Sequence, residues 1–291
     1  MWKAIADDIS IAQNKRFVIE QTEQLSGGDI NDCYSVTDGQ TTYFVKINEK
    51  QRLNNFQSEA NSLEHLAVCG HFIVPKVVTC GNTISHSYLV LEYLNMHCSN
   101  PQVTDQQWHS LGVALANLHH DNQQAEFGWN DDNYIGLTVQ TNKWQHNWSV
   151  FFAEQRLGYQ LQLLRENDLF QGSISAITDK CQQLLCHHHP TPSLVHGDLW
   201  QGNVAFVNNL PCIYDPACYY ADREVDIAMS ELFGRFPENF YQGYQQTLPL
   251  AKGYEQRKKI YNGYHILNHA NLFAGIYVEQ AQSFIHDIQS L

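Results

Sequence analysis

The stretch LVHGDLWQGNVAF spans Leu194 to Phe206 and decides how the rest of the chain is read. A short apolar strand runs into His196-Gly197-Asp198, and Asn203 follows that acid by five residues. A loop that only reversed the chain would not need an acid and an amide at fixed spacing. The next acid at a strand end is Asp215, in PCIYDPA, where Pro216 biases the residue before it away from helical geometry. Asp198, Asn203 and Asp215 together make a set of hard oxygen ligands for Mg²⁺ plus a base. Asx-turn chemistry at two separate loops is the alternative at this point.

Working outward, the first lobe supplies companions. LSGGDIND (25–32) joins two expected strands through Gly27 and Gly28, which let backbone N–H groups approach a phosphate, although a plain Gly-Gly hairpin has the same sequence. It is not a Walker A loop, because no Gly-Lys-Ser/Thr follows, and no Gly-x-Gly-x-x-Gly is present. QTTYFVKIN (40–48) alternates as a strand and carries Lys46. On the helix expected around NFQSEANSLEHLA, Glu59 lies within the apolar stripe of Phe56, Leu63 and Leu66. A carboxylate on an inward face is costly unless paired, and Lys46 on the preceding strand is the partner it calls for.

These parts stand in a fixed order: Gly-rich hairpin, strand Lys, helix Glu, the apolar strand SYLVLEYL (87–94) running into a polar stretch (95–104), Asp-x-x-x-x-Asn, then a strand-end Asp. That is the order of the protein-kinase template for phosphoryl transfer. The expected architecture is α+β and bilobal, with a small β-rich lobe over 1–94 and a larger, mainly helical lobe over 95–291. Within the larger lobe, Thr104 and Gln107 read as a capping box ahead of Trp108, Leu111, Leu115 and Leu118. Further helices are expected over 147–166, 173–186, 225–233 and much of 238–290.

Departures from protein kinases narrow the class. His-Gly-Asp stands where they carry His-Arg-Asp, and Asp215-Pro216-Ala217 where they carry Asp-Phe-Gly. Asp226, in DREVDIAMSELFG, follows Asp215 too soon for a long activation segment or a peptide-docking platform. A small-molecule kinase fits this better. Asp226 itself reads either as an acid that holds the catalytic loop by its backbone or as a helix N-cap.

Bulk properties agree. The 291 residues are 43% hydrophobic, ample for a core of one large or two modest domains. With 17 Lys and Arg against 30 Asp and Glu, the formal charge is −13, which argues against a general nucleic-acid binder. No apolar run reaches membrane-spanning length, and Asp7-Asp8 interrupts the start where a signal peptide needs apolar residues. Eight Cys without a Cys-x-x-Cys pair point to reduced thiols and a cytoplasmic location. Cys186-His187-His188-His189 lacks regular metal-ligand spacing and reads as a polar linker.

The chain resembles the fructosamine kinase (ketosamine kinase) family, a branch of the aminoglycoside- and choline-kinase-like group. The matching stretches include GGDIN (27–31), YFVKIN (43–48), FGWNDDNYIG (127–136), NWSVFFAEQRL (147–157), LVHGDLWQGN (194–203) and IYDPACYYADREVDIAMSELFG (213–234). Asp32-Cys33, directly after the Gly loop, departs from the pattern and puts a thiol close to the nucleotide. The resemblance implies ATP- and Mg²⁺-dependent phosphorylation of the 3-hydroxyl of a ketosamine, free or protein-bound, followed by release of the amine. Asp198 would accept or orient the proton of the attacking hydroxyl. Asn203 and Asp215 would hold Mg²⁺, Lys46 would grip the phosphates, and Glu59 would fix Lys46. Backbone groups of Glu92 and Leu94 would meet the adenine edge. For the sugar, Trp200 in the catalytic loop and Trp129, Asn133 and Trp148 in the helical lobe are the candidates. Kinases of another small alcohol (aminoglycoside, choline, homoserine or methylthioribose) share the same catalytic set, and a non-catalytic pseudokinase is the reading from a different class.

Overall fold

The computed structural model describes residues 1–25, 30–96 and 103–290. In chain order the elements begin with α1 (Trp2–Gln13), β1 (Gln21–Leu25), β2 (Asp32–Thr37), β3 (Thr42–Glu49), α2 (Leu53–Cys69), β4 (Val77–Asn82) and β5 (His86–Glu92). After them come α3 (Asp105–Asp121), β6 (Asn133–Ile135), β7 (Thr138–Gln140), α4 (Trp148–Phe151), a π-helical segment (Phe152–Gly158), α5 (Tyr159–Glu166) and α6 (Ile174–Leu185). The chain closes with β8 (Ser193–Val195), β9 (Val204–Val207), β10 (Leu210–Ile213), β11 (Tyr219–Ala221), α7 (Glu224–Ser230), α8 (Glu238–Thr247), α9 (Tyr254–Phe273) and α10 (Ile276–Ser290).

Packing divides the chain into two compact units: Met1–Val103 with Ala205–Pro216, and Thr104–Val204 with Ala217–Leu291. This differs from the single boundary expected at 94/95. The β9–β10 hairpin joins the first unit because Ala205, Val207 and Cys212 bury themselves against Ile73, Leu94, Met96 and Tyr214. Ile73 seals the join by donating to Pro211 O at 2.9 Å and accepting from Ile213 at 3.1 Å.

The first unit is built on an antiparallel sheet of order β1-β2-β3-β5-β4. Alternation along β3 sorts its side chains. Val45 and Ile47 pack with Val36, Tyr88, Val90 and the α1 residues Ile5 and Ile9 on one face. Phe44 and Leu89 meet Phe56 and Leu63 of α2 on the other. Helix α1 was not anticipated from the sequence. Its Ile5, Ala6 and Ile9 form one buried stripe, and the Tyr88 hydroxyl ties it to the sheet through Asp8.

The second unit is mainly helical. Thr104 Oγ1 accepts from Gln107 N at 3.3 Å while Gln107 Oε1 accepts from Thr104 N at 2.8 Å, so the capping box forms at the start of α3. Trp108, Leu111, Leu115 and Leu118 are buried behind it. Helix α3 then crosses α8 at two glycines. A Cβ at Gly112 would sit 2.0 Å from Phe240 O, and one at Gly243 2.2 Å from His109 O. Backbone atoms cannot yield as a flexible side chain can. Gly112→Ala is therefore expected to destabilise the protein by about 1–3 kcal/mol in urea unfolding, although alanine is the better helix former. Unchanged or increased stability would contradict this account of the crossing.

Candidate active site

Two constellations stand out, one in each unit. In the first unit Lys46 is 4% exposed, and its Nζ donates to Glu59 Oε1 at 2.7 Å and to Asp215 Oδ1 at 2.5 Å. The stripe argument for Glu59 therefore holds, and a second carboxylate joins it. Burial alone would pull the Lys46 ammonium down, but Asp215 and Glu59 outweigh it and hold it above its ordinary value. Glu59 is pushed upward by its burial, against the pull of Lys46 and with the help of the Asp215 charge. One ammonium thus serves two acids, and the Asp215 side chain is 43% exposed.

Asp215 lies two residues beyond β10 with φ +57°, in the left-handed region that a non-glycine residue enters only when its surroundings hold it there. Cys33 pairs with Lys46 across the β2–β3 ladder. Burial raises its thiol pKa despite the nearby ammonium, which disfavours the reactive thiolate. At the end of β5, Glu92 N donates to Lys76 O at 2.8 Å. Leu94 packs its side chain against the β9–β10 hairpin. Gly27 and Gly28 lie outside the described residues.

In the second unit the loop after β8 is anchored by a buried carboxylate. Asp226 accepts from His196 N at 2.7 Å, Gly197 N at 2.9 Å and His119 Nε2 at 3.2 Å. Burial opposes its charge, yet His119, His196 and the Gly197 amide hold its carboxyl below the ordinary range. Helix α7 starts at Glu224, and its N-cap, Arg223, makes no side-chain cap, so Asp226 serves the loop rather than the helix end. Gly197 has φ +82°, and a Cβ there would lie 2.1 Å from Ala217 O. No side chain fits there without a shift of the backbone, so the His-Gly-Asp sequence is required by this loop's geometry.

Beyond that anchor, Asp198 N donates to His196 Nδ1 at 3.2 Å. Asn203 Nδ2 donates to Asp198 O at 2.8 Å and to Oδ2 at 3.2 Å. The five-residue spacing thus closes the loop on itself. Leu199 is buried, while Trp200 keeps partial exposure and folds its ring over Gly202, where a Cβ would lie 2.3 Å from the indole.

Against this geometry, the comparisons with known proteins decide the family. The family model described as fructosamine kinase matches residues 1–290. A "Probable ketoamine kinase" of Vibrio parahaemolyticus is 48% identical over 290 residues, covering 100% of both chains. Its counterpart in Synechocystis is 47% identical over 285 residues, 98% of this chain and 95% of that protein. The chain belongs to the fructosamine kinase family.

This family member also has close structural neighbours. A crystal structure described as "Putative fructosamine-3-kinase" from Haemophilus somnus matches with TM-score 0.93 at 36% identity, over 99% of this chain and 97% of that one. An aminoglycoside phosphotransferase in ternary complex with AMP-PNP and hygromycin B matches with TM-score 0.68 at 14% identity, over 94% of each chain, which shows a shared fold alone. The architecture is the α+β protein-kinase-like fold, and the protein is a small-molecule phosphotransferase. Among the described residues, no helix is long and apolar enough to cross a membrane.

Three of the four sugar-binding expectations need correction. Trp148 is buried and donates its indole N–H to Tyr261 Oη at 2.9 Å. Trp129 is buried against Tyr220, while Gly128 and Tyr220 exchange backbone hydrogen bonds of 3.0 and 2.8 Å beside it. Asn133 gives its amide N–H to Cys218 O at 2.7 Å and accepts from Gln140 and Asn142 at 2.8 Å each. Trp129 and Asn133 fasten the segment around β6 and β7 to the unit's interior, and Trp148 fastens the start of α4 to α9. The polar-linker reading of Cys186–His189 also changes, because His188 Nε2 meets Asp222 Oδ2 at 2.7 Å and Glu224 Oε2 at 3.9 Å. Arg257 grips Glu224 through two hydrogen bonds and the Tyr261 hydroxyl donates to Asp222, so these acids belong to a hydrogen-bonded network.

Sequence reasoning missed His265, on the buried face of α9. Its Nδ1 lies 3.9 Å from Asp198 Oδ1 and has no hydrogen-bond partner. Burial, with His269 and Arg156 adding to it, pushes its pKa down to about 3, so the ring is neutral. His119 and His269 are also held below their ordinary values by burial. The unfolded chain therefore takes up protons that the native protein refuses as pH falls below about 6.5. Stability present in full above that pH should fall on acidification, by about 2 kcal/mol at pH 5 from His265 alone. Urea unfolding at pH 7.5 and pH 5.0 measures this, and His265→Phe should flatten the slope.

Proposed function

We propose that this protein transfers the γ-phosphoryl group of ATP to the 3-hydroxyl of a ketosamine, a ribulosamine or fructosamine adduct, and so initiates release of the amine. The observation that carries the reading is the loop held by Asp226, which fixes Asp198 and Asn203 five residues apart with Asp198's carboxylate partly open to solvent. The names of the relatives support the acceptor class. The first unit is the nucleotide-handling part and the second the acceptor part.

The balance of the step is simple. The hydroxyl oxygen attacks the γ-phosphorus, the bond to the bridging oxygen breaks, ADP departs, and the proton passes to Asp198 and then to water. Asp198 aims the hydroxyl and receives its proton. Neutral His265 offers Nδ1 beside it, where one acceptor oxygen can hydrogen-bond to both groups. Lys46, kept charged by its two carboxylates and stiff by burial, binds phosphate oxygens. Glu92 N is engaged with Lys76, so the adenine edge would meet the Glu92 carbonyl and the backbone of Leu94. Trp200 is the aromatic platform for the sugar.

The residues present fit Mg²⁺. Asp215, whose side chain is 43% exposed, would hold the ion through a hard carboxylate oxygen. Asn203, its amide nitrogen committed to Asp198, would offer its oxygen. When bound, the ion supplies charge neutralisation at the phosphates. Most of the catalysis is positioning.

Asp198→Asn should lower turnover about 10²- to 10⁴-fold while changing ATP affinity less than about twofold. A coupled ADP assay beside calorimetric ATP titration reads both numbers. Near-normal turnover in this variant would remove Asp198 from its role.

A further inference from the structure

The mechanism above leaves unused a group of rings near the acceptor loop, where α7 ends and α9 meets α10. Phe233 and His269 lie with ring centroids 4.4 Å apart. His269 lies 5.0 Å from Tyr277 and 5.5 Å from Phe273, and Phe273 lies 6.1 Å from Tyr277. A cluster that only closed a core would be covered, but Phe273 is 46% exposed and neighbouring Ile276 66%. Phe233, His269 and Tyr277 are half-buried.

Two independent connections tie this cluster to Asp198. Along α9, His265 sits beside the Asp198 carboxylate, and His269 follows one helical turn later, its Nδ1 bonded to His265 O at 2.8 Å. From the loop itself, Gln201 Nε2 donates to Arg235 O at 3.3 Å, and a Cβ on Gly234 would lie 3.7 Å from the Gln201 side chain. Phe233 is the residue before that glycine. The rings therefore extend from the acid that handles the hydroxyl, on the same structural unit.

We propose that Phe233, His269, Phe273 and Tyr277 form a subsite for the amine side of the acceptor, taking its protonated nitrogen and the apolar part of the nitrogen substituent. The proposal rests on the ketosamine reading. In such a molecule the nitrogen lies three bonds from the carbon that bears the reacting hydroxyl, so its substituent begins roughly 5 Å away, about one helical turn. The chemistry of the cluster suits that group. Aromatic faces attract an ammonium and cover an apolar chain. His269 is kept neutral by its burial, so it does not repel a cation. Arg235, the nearest guanidinium in sequence, is committed to Glu238 and to the Tyr241 ring.

Calorimetric binding of two 1-amino-1-deoxyfructose compounds, one N-benzyl and one N-methyl, tests the subsite without requiring turnover. The native protein should bind the benzyl compound about tenfold more tightly. In Phe273→Ser and in Tyr277→Ala the preference should shrink to about twofold or less, the methyl compound, which shares only the ammonium, losing far less affinity than the benzyl compound. A preference that persists in both variants would overturn the proposal. So would no preference in the native protein, equal weakening of both compounds, or no measurable binding of either. Phosphoryl transfer to the same compounds is scored separately. Preferential binding without transfer would sink the ketosamine-kinase reading and leave the subsite standing; transfer without preference would do the reverse.

Discussion

The carboxylate of Asp226 is sealed in the interior of the helical unit, and the loop that bears Asp198 hangs from it. Taking an ion out of water is expensive unless every lone pair finds a donor. Here the donors are the two backbone amides that open the loop and the ring of His119. The His119 ring is itself oriented by the Tyr244 hydroxyl at 2.8 Å, and Arg223 donates to that hydroxyl at 2.7 Å. A chain of hydrogen bonds from α7, α3 and α8 thus converges on two peptide groups. Each member is satisfied, which makes the arrangement stiff, and removal of any one would leave a charge or dipole uncompensated.

The first unit solves the same problem with the signs exchanged. There the buried ion is Lys46, satisfied by two acids from distant parts of the chain, Glu59 and Asp215. Under the proposed function this arrangement would suit anionic phosphates together with a divalent cation, since it sets a fixed positive charge beside a partly exposed acid on one strand-and-helix frame.

Buried charges were also the features most legible in the sequence. Glu59 inside an apolar stripe demanded a cation, and Lys46 was the one that the preceding strand offered. Asp226 was ambiguous between cap and anchor, because only the start of α7 at Glu224 separates the two. Trp148, Trp129 and Asn133 misled for a physical reason: an indole N–H or an amide looks the same in sequence whether its partner is Tyr261, Cys218 O or a sugar. His265 went unread because its meaning depends on which face of a twenty-residue helix turns inward, and helix α1 because a short stripe of Ile5, Ala6 and Ile9 carries little signal by itself. The π-helical turn at 152–158 and the fully buried Arg156 within it, stacked 4.0 Å from the Tyr219 ring, are tertiary outcomes with no local code.

The central claim is that Asp198 and its loop direct ATP to a ketosamine hydroxyl. The most direct test is ADP release with Mg-ATP over ribulosyl-lysine, fructosyl-lysine, choline and an aminoglycoside. The account predicts turnover confined to the two ketosamines, with lysine appearing as each phosphorylated product breaks down. Turnover with choline or the aminoglycoside alone would contradict it, as would ATP binding with no turnover on any of the four.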